Sequence, residues 1–110
     1  MKLSALNQNT DFRRLYYRGK SSAGKYLVTY AMRGRSGGVR IGISSSKKIG
    51  NAVKRNRARR VIRAAYKQLE SKVCGRYDIV FVARTATCGA KMQQVLADME
   101  RQLAELGVIK

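Results

Sequence analysis

One basic segment, "SKKIGNAVKRNRARRVIRAAYKQL", limits most strongly what this chain can fold into. Between residues 47 and 63, eight of the seventeen side chains are Lys or Arg, and none is acidic. At about 100° per residue, a helix through this segment places its apolar side chains in one arc of about 100°. These side chains are Ala58, Val61, Ile62, Ala65 and Leu69. The segment therefore predicts an amphipathic helix with one buried face and one strongly basic face.

The basic side chains of this helix form rows, which we interpret as a surface for a polyanion. The rows are Arg55, Arg59 and Arg63 on one flank, then Asn56, Arg60 and Lys67, with Arg57 at the far edge. Like charges four residues apart cost about 0.2–0.5 kcal/mol per pair, so stability does not explain them. Arginine suits bidentate contacts with phosphate. Lys47 and Lys48 precede the helix N-terminus, which itself attracts anions. The alternative is a charged face that only contacts solvent.

Composition leads to the same expectation. The chain has 110 residues, which suits one domain over 1–110, and 45% of them are hydrophobic, enough for a core. Its formal net charge is +18. Residues 1–69 carry 18 Lys and Arg against one acid, whereas residues 70–110 carry 6 against 5. Such an uneven charge favours a nucleic acid as the partner.

Other features indicate a cytoplasmic protein without a metal site. No apolar run approaches the roughly 20 residues that a membrane span requires, and the N-terminus lacks the apolar stretch of a signal peptide. The sequence has no His, and Cys74 and Cys88 stand 14 residues apart. We therefore expect two reduced thiols and no zinc site.

The pattern along the chain predicts an α+β domain with the element order α-β-β-α-β-α. A short helix starts at Asn9 or Thr10 and ends at Gly19. Strands over 24–33 and 39–45 are expected to form a hairpin through the glycine-rich turn at 34–38. The basic helix begins after Asn51 as N-cap and runs to 71 or 72. A strand over 76–84 and a helix over 89–106, ended by Gly107, complete a two-layer arrangement of a small sheet and helices.

The basic segment closely resembles the signature of the bacterial ribonuclease P protein component. The matching residues are Ser46, Lys47, Lys48, Gly50, Ala52, Val53, Arg55, Asn56, Arg57, Arg59, Arg60 and Arg63. The resemblance extends to "DFRRLY", the following strands, "YDIVFVAR" and the last helix, and so covers most of residues 9–106. It implies a small mixed sheet with a left-handed β-α-β crossover, and the order fits if the first β region is counted as two strands.

The resemblance also implies function. The family's protein binds a large catalytic RNA, and together they remove the 5′ leader from precursor tRNA. The RNA, not the protein, holds the catalytic Mg²⁺ ions. We expect a monomer, one per RNA. The residues that match the surface for the catalytic RNA are Lys47, Lys48, Arg55, Asn56, Arg57, Arg59, Arg60 and Arg63. The residues that match the family's leader-contacting positions are Phe12, Tyr16, Val28 and Tyr30.

Some of these assignments have a simpler alternative. From spacing alone, core packing is the favoured interpretation of Phe12 and Tyr16, and Tyr30 is open between core and ligand. Tyr16 also departs from the family, in which Phe is frequent at this position. If these rings are accessible, they suit single-stranded RNA, because unpaired bases stack on aromatic faces while nearby Lys and Arg hold phosphates.

The sequence argues against catalysis by the protein itself. Its six acidic residues are scattered, and without His no general base is evident. Three alternatives to the ribonuclease P subunit remain open at this point. They are a structural RNA-binding protein of the ribosomal kind, an autonomous nuclease and a nucleoid-type DNA-binding protein. Stimulation of a catalytic RNA, cleavage by the protein alone and preference for duplex DNA would distinguish them.

Overall fold

The computed structural model describes residues 4–5, 9–34, 38–73 and 75–109, and for 4–5 and 9–12 the description covers the backbone. The strands are β1 (Ser4–Ala5), β2 (Lys20–Ala23), β3 (Leu27–Arg33), β4 (Val39–Ser44) and β5 (Tyr77–Ala83). The α-helices are α1 (Asn9–Arg18), α2 (Ala52–Leu69), α3 (Thr85–Gly89) and α4 (Met92–Glu105). Single turns of 3-10 helix, Lys47–Ile49 and Glu70–Lys72, flank α2.

The five strands form one mixed sheet in the order β1-β4-β5-β3-β2. Strand β4 runs parallel to β1 and β5, whereas β3 runs antiparallel to β5 and β2. The predicted α+β class with a mixed sheet is therefore confirmed, and the first β region does consist of two strands. Because β4 and β5 are adjacent and parallel, α2 forms a β-α-β crossover between them. The left hand of this crossover stays a prediction.

The predicted hairpin between the second and third β segments is wrong. Strand β5 lies between β3 and β4, so these two strands do not pair with each other. The hairpin joins β2 and β3 instead, where Gly24 N donates to the carbonyl of Leu27. The reason lies in β5, whose central residues Ile79, Val80 and Phe81 are all fully buried. A strand that is apolar on both faces is stable only in the middle of a covered sheet.

Helices cover the two faces of the sheet unequally. The larger core lies between the sheet and α2 and α4, and includes Ile62, Ile79, Phe81, Met99 and Leu103. On the opposite face, Leu15 of α1 packs against Val80, with Tyr30, Met32 and Val82 beside them. The two-layer arrangement thus holds for the sheet with α2, α3 and α4, and α1 adds a partial layer on the other face.

The basic helix forms as its sequence predicts. The Asn51 side chain accepts a hydrogen bond from Lys54 N at 3.0 Å, so it caps the helix as expected. The helix ends at Leu69, and the following 3-10 turn extends the helical path to Lys72, near the predicted end. Four of the five expected core residues are buried, and Val61 is half-buried. Tyr66 is also buried and packs on Phe81, with the ring centroids 5.6 Å apart.

The C-terminal part differs in one detail from its prediction. The expected helix over 89–106 is preceded by the short helix α3, and α4 itself begins at Met92. It ends at Glu105, and Gly107 follows with a φ of 77°, a conformation that glycine adopts readily. In the described part of the chain, no helix is long and apolar enough to cross a membrane. Cys88 is a half-buried free thiol, and Cys74 lies outside the described residues.

Candidate RNA interface

The two lysines that precede α2 are exposed on a turn that the core holds in place. Lys47 and Lys48 belong to the 3-10 turn, whose third residue, Ile49, is buried. Gly50 then redirects the chain into the helix with a φ of 137°. This φ favours glycine, whereas the nearest atom to an added Cβ, Cδ of the exposed Lys54 side chain at 2.8 Å, could move aside. The turn therefore presents both ammonium groups beside the helix N-terminus.

The arginine rows of α2 lie on the side of the helix that faces away from the core. Arg57, Arg59, Arg60, Arg63 and Asn56 are exposed, and Arg55 is half-buried. The side chains of Asn56, Arg59, Arg60 and Arg63 line a shallow depression along the helix. This arrangement brings together four of the eight residues predicted to bind the catalytic RNA. It is an open, strongly basic groove of a size that suits a phosphate backbone rather than a small enclosed ligand.

Arg57 differs from its neighbours because it also stabilises the fold. Its Nε donates to the carbonyl oxygen of Cys88 at 2.9 Å, which ties α2 to the end of α3. The sequence placed Arg57 at the far edge of the basic face without indicating this contact. A guanidinium has further N–H donors, so Arg57 can hold α3 and contact a phosphate at the same time.

The acidic side chains that could neutralise α2 are mostly paired elsewhere. Asp78 binds Arg14 and Arg40, Glu100 binds Lys72, and both Asp98 and Glu105 bind Arg101. Glu105 also accepts a hydrogen bond from the Ser22 hydroxyl, and this bond, followed by those from Arg101, holds the pKa of Glu105 below its ordinary value. Among the described residues, no salt bridge involves Lys47, Lys48 or the arginines of α2. Their positive charge is therefore available to an external anion.

A second candidate surface lies on the other face of the sheet, beside α1. Tyr16 and Tyr30 meet edge to face, with ring centroids 4.8 Å apart and an angle of 72° between the planes. Tyr16 is 43% exposed, and Tyr30 and Val28 are half-buried. Core packing therefore does not account fully for Tyr16. Three of the four predicted leader-contacting residues lie on this side of the sheet, and we call the surface formed by Tyr16, Val28 and Tyr30 the cleft. The side chain of the fourth, Phe12, lies outside the described part of the chain.

A buried carboxylate, which the sequence analysis did not single out, holds α1 on this face. Asp78 is fully buried in β5. It accepts a hydrogen bond from Arg14 of α1 at 2.6 Å, and two from Arg40 of β4 at 3.0 and 2.8 Å. The sequence does contain a sign of this contact, because an acidic residue inside the otherwise apolar run "YDIVFVA" is expected to be buried and paired. This contact ties α1, and with it Tyr16, to strands β5 and β4 of the sheet.

One row of the sheet connects the two surfaces. The register places Ala23, Val28, Val82 and Ser44 side by side across β2, β3, β5 and β4. Val28 and Val82 are half-buried on the face that α1 covers only in part. At the β4 end of this row, Ser44 leads within three residues to Lys47. An extended chain lying in the cleft would thus run toward the lysine turn.

The geometry offers nucleic-acid contacts rather than a metal centre. In the described part of the chain, no three His, Cys, Asp or Glu side chains come together in a way that could hold a metal ion. What the two surfaces provide is a basic groove on α2 and aromatic rings with an apolar floor beside α1. Together they suit an RNA that is bound through its phosphates at one place and through unpaired bases at the other.

Comparison with known proteins agrees with this geometry. A family model described as Ribonuclease P matches residues 1–107. The chain is 43% identical to the ribonuclease P protein component of Clostridioides difficile over 86% of its own length and 83% of that protein. It is 34% identical to the protein component of Clostridium botulinum over 98% of both chains. The Staphylococcus aureus RNase P protein superimposes with a TM-score of 0.86, at 34% identity, over 99% of this chain and 100% of that one. For the Thermotoga maritima protein, at 23% identity, the TM-score of 0.79 concerns the fold alone.

Proposed function

The chain belongs to the ribonuclease P protein family and takes part in tRNA processing as a ribonuclease P protein component, and from this premise we propose how it works. In the proposal, one copy of the protein binds the catalytic RNA of ribonuclease P through α2 and the lysine turn, in the cytoplasm. It binds the 5′ leader of precursor tRNA in the cleft beside α1. The RNA hydrolyses the phosphodiester bond, and the protein positions the substrate.

The observation that carries the proposal is that the described salt bridges lie outside α2, while the arginines of α2 have no acidic partner among the described residues. Arginines four residues apart without an acidic partner cost a helix about 0.2–0.5 kcal/mol per pair, and a bound anion can remove this cost. The phosphates of a folded RNA do so, and bidentate guanidinium contacts suit them.

The leader assignment is supported by the open aromatic surface. Tyr16, which is 43% exposed, packs edge to face with Tyr30 beside the half-buried side chains of Val28 and Val82. Stacking of an unpaired base on an aromatic ring contributes about 1–3 kcal/mol and does not depend strongly on which base is bound. This suits leaders of differing sequence. The path from Val28 to the lysine turn would bring the leader toward the RNA bound at α2.

We assign the Mg²⁺ ions of the reaction to the RNA subunit. Nothing in the described residues fits a two-metal protein site, since the described acids are spread over the fold and most are held by arginine or lysine. The cationic groove of α2 instead reduces the repulsion between catalytic RNA and substrate. The protein would thereby lower the Mg²⁺ concentration at which the RNA binds precursor tRNA.

A reconstituted cleavage assay tests the proposal. Precursor tRNA is incubated at about physiological Mg²⁺ with the ribonuclease P RNA of Clostridioides difficile, with this protein or without it. We expect rapid release of the leader only when RNA and protein are both present. Cleavage by the protein alone would indicate an autonomous nuclease. An absence of stimulation, together with association with ribosomes, would indicate a structural RNA-binding protein instead.

The leader cleft has its own test in the same holoenzyme. Tyr30→Ala removes the ring that Tyr16 contacts, and we expect about fivefold to tenfold weaker binding of precursor tRNA. Binding of mature tRNA, which has no leader, should stay the same. Lys91→Ala, an exposed change on the other side of the sheet, serves as the control. Equal losses for precursor and mature tRNA would contradict the leader assignment.

A further inference from the structure

Helix α1 carries an exposed aromatic side chain, Tyr17, that does not pack against the core. Tyr17 is 92% exposed, the highest value among the exposed large hydrophobic side chains of the described residues. A tyrosine in this position buries almost no apolar area and so contributes little to stability. It lies next to Tyr16 in sequence but points away from the sheet, because Leu15, two residues earlier, points inward.

Arginines surround this ring. Arg13, Arg14, Tyr17 and Arg18 line a shallow depression on the outside of α1. Arg14 is held at Asp78, whereas the side chains of Arg13 and Arg18 make no hydrogen bond or ion pair with the described residues. Arg14 and Arg18 stand four residues apart, a like-charge spacing that costs stability. The guanidinium groups of Arg13 and Arg18 are therefore exposed here without a bond that stabilises the fold.

The order of these side chains around the helix connects them with the leader cleft. Measured from the inward Leu15 at about 100° per residue, Tyr16 lies near 100°, Arg13 near 160°, Tyr17 near 200° and Arg18 near 300°. A band of alternating rings and guanidinium groups therefore leads from the cleft over the top of α1. The α2 surface is not part of this band, since α2 packs on the opposite face of the sheet.

We propose that this band is a second leader-binding subsite, in which Tyr17 stacks on an unpaired base and Arg13 and Arg18 hold the adjacent phosphates. This inference builds on the proposed function, because it continues the leader beyond the Tyr16–Tyr30 cleft. The nucleotides bound here are the ones farther from the cleavage site. A base stacked on Tyr17 with phosphates on both flanks is the arrangement by which single-stranded RNA is held without sequence readout.

The length of the leader distinguishes this subsite from the cleft. Two precursors are prepared with the same tRNA, one with a leader that just fills the cleft and one with a leader several nucleotides longer. In the holoenzyme, Tyr17→Ala should weaken binding of the long-leader precursor about fivefold to tenfold and leave the short-leader precursor unchanged. Tyr17→Phe keeps the ring and should behave like the wild type. The double variant Arg13→Ala, Arg18→Ala should show the same selective loss, and Arg76→Ala, another exposed arginine, should show none.

Other results would contradict the second leader-binding subsite without contradicting the proposed function. Equal binding of the long-leader precursor by the wild type and by Tyr17→Ala would show that Tyr17 does not bind the leader. A loss for both leader lengths, accompanied by weaker binding of the ribonuclease P RNA without substrate, would assign this surface to the catalytic RNA. In each case Tyr30→Ala reports separately on the cleft, because it should weaken both precursors. Helix content measured by circular dichroism verifies that the Tyr17 variants remain folded.

Discussion

Arg57 and Arg60 belong to the same basic motif but differ in their contacts with the rest of the fold. Arg60 is exposed and lines the α2 depression, and its side chain has no hydrogen bond or salt bridge with the described residues. Arg57 is also exposed but donates to the Cys88 carbonyl. The motif alone does not separate them, because Arg57 ends its Arg-Asn-Arg part and Arg60 belongs to the basic pair that follows, and both are simply basic residues of one signature. The distinction depends on where α3 packs.

This difference predicts different outcomes for the two alanine substitutions. Arg60→Ala should weaken binding of the ribonuclease P RNA about threefold to tenfold and lower the salt slope of log affinity by about 1, with no change in melting temperature. Arg57→Ala should weaken binding and also destabilise the protein by about 1 kcal/mol, because the bond to Cys88 is lost. Filter binding at several salt concentrations and thermal melting check both. A lower melting temperature for Arg60→Ala would point to a structural role instead.

Helix α1 is joined to the sheet by a buried polar contact. Among its described side chains, only Leu15 is fully buried. The Asp78 carboxylate joins α1 to β4 through Arg14 and Arg40. A buried carboxylate with two guanidinium partners is compensated, but it becomes costly when either charge is removed.

We therefore expect Asp78→Asn to destabilise the protein by about 2–3 kcal/mol, because two partly buried arginines lose the charge of this carboxylate. The matched control is Glu100→Gln, which removes a carboxylate 2.9 Å from Lys72 where both side chains are about half exposed. That change should cost less than about 1 kcal/mol. Urea unfolding measures both. Similar losses for the two variants would show that the contact at Asp78 does not hold α1.

The packing of α2 on the sheet should appear in the pH dependence of stability. Burial, and to a lesser degree Glu70, raises the pKa of Tyr66 from 10.0 to about 12. The unfolded chain loses this proton near pH 10, whereas the folded chain keeps it. The stabilisation is therefore complete below pH 10 and is lost as the pH rises toward 12.

The expected loss between pH 10 and pH 12 is of the order of 2–3 kcal/mol relative to Tyr66→Phe, which has no phenolic proton. Urea unfolding of both proteins at pH 8, 10 and 11.5 measures it, and the titration of lysine, common to both, cancels in the difference. A constant difference in the free energy of unfolding over this range would show that Tyr66 ionises as easily in the folded state as in the unfolded one.

At the scale of the molecule, the charge distribution works against the fold until an anion is bound. The net charge is +18, and the surplus lies in the part of the sequence that forms α1, β4, the lysine turn and α2. The acidic residues of the C-terminal third are occupied by Arg101, Lys72, Arg14 and Arg40. Self-repulsion across the basic surfaces therefore persists in the free protein.

Sulfate should consequently stabilise the protein more than chloride at the same ionic strength. Bound sulfate would neutralise the arginine rows in place of RNA phosphate, and we expect the melting temperature to rise by about 5 °C or more. The double variant Arg59→Gln, Arg63→Gln should respond less, because it lacks part of the site. Equal melting temperatures in the two salts would indicate that ionic strength alone governs stability.

The sequence was sufficient for features that depend on local periodicity and charge. The α2 stripe, its Asn51 cap, the end of the last helix at Gly107 and the basic rows all follow from spacing along the chain, because a helix brings residues three and four apart onto one face. The signature around Lys47 to Arg63 also identified the family, and the α+β class followed from the order of the elements.

Only the tertiary structure decided the relations between distant segments. The sequence suggested pairing of β3 with β4 across a glycine-rich turn, yet β5 lies between them, because its run of buried residues is stable only at the centre of the sheet. The Asp78 contact, the bond of Arg57 to α3 and the placement of α1 opposite α2 arise in the same way. Each joins residues that are far apart in sequence, and their free energy depends on burial that exists only once the sheet has formed.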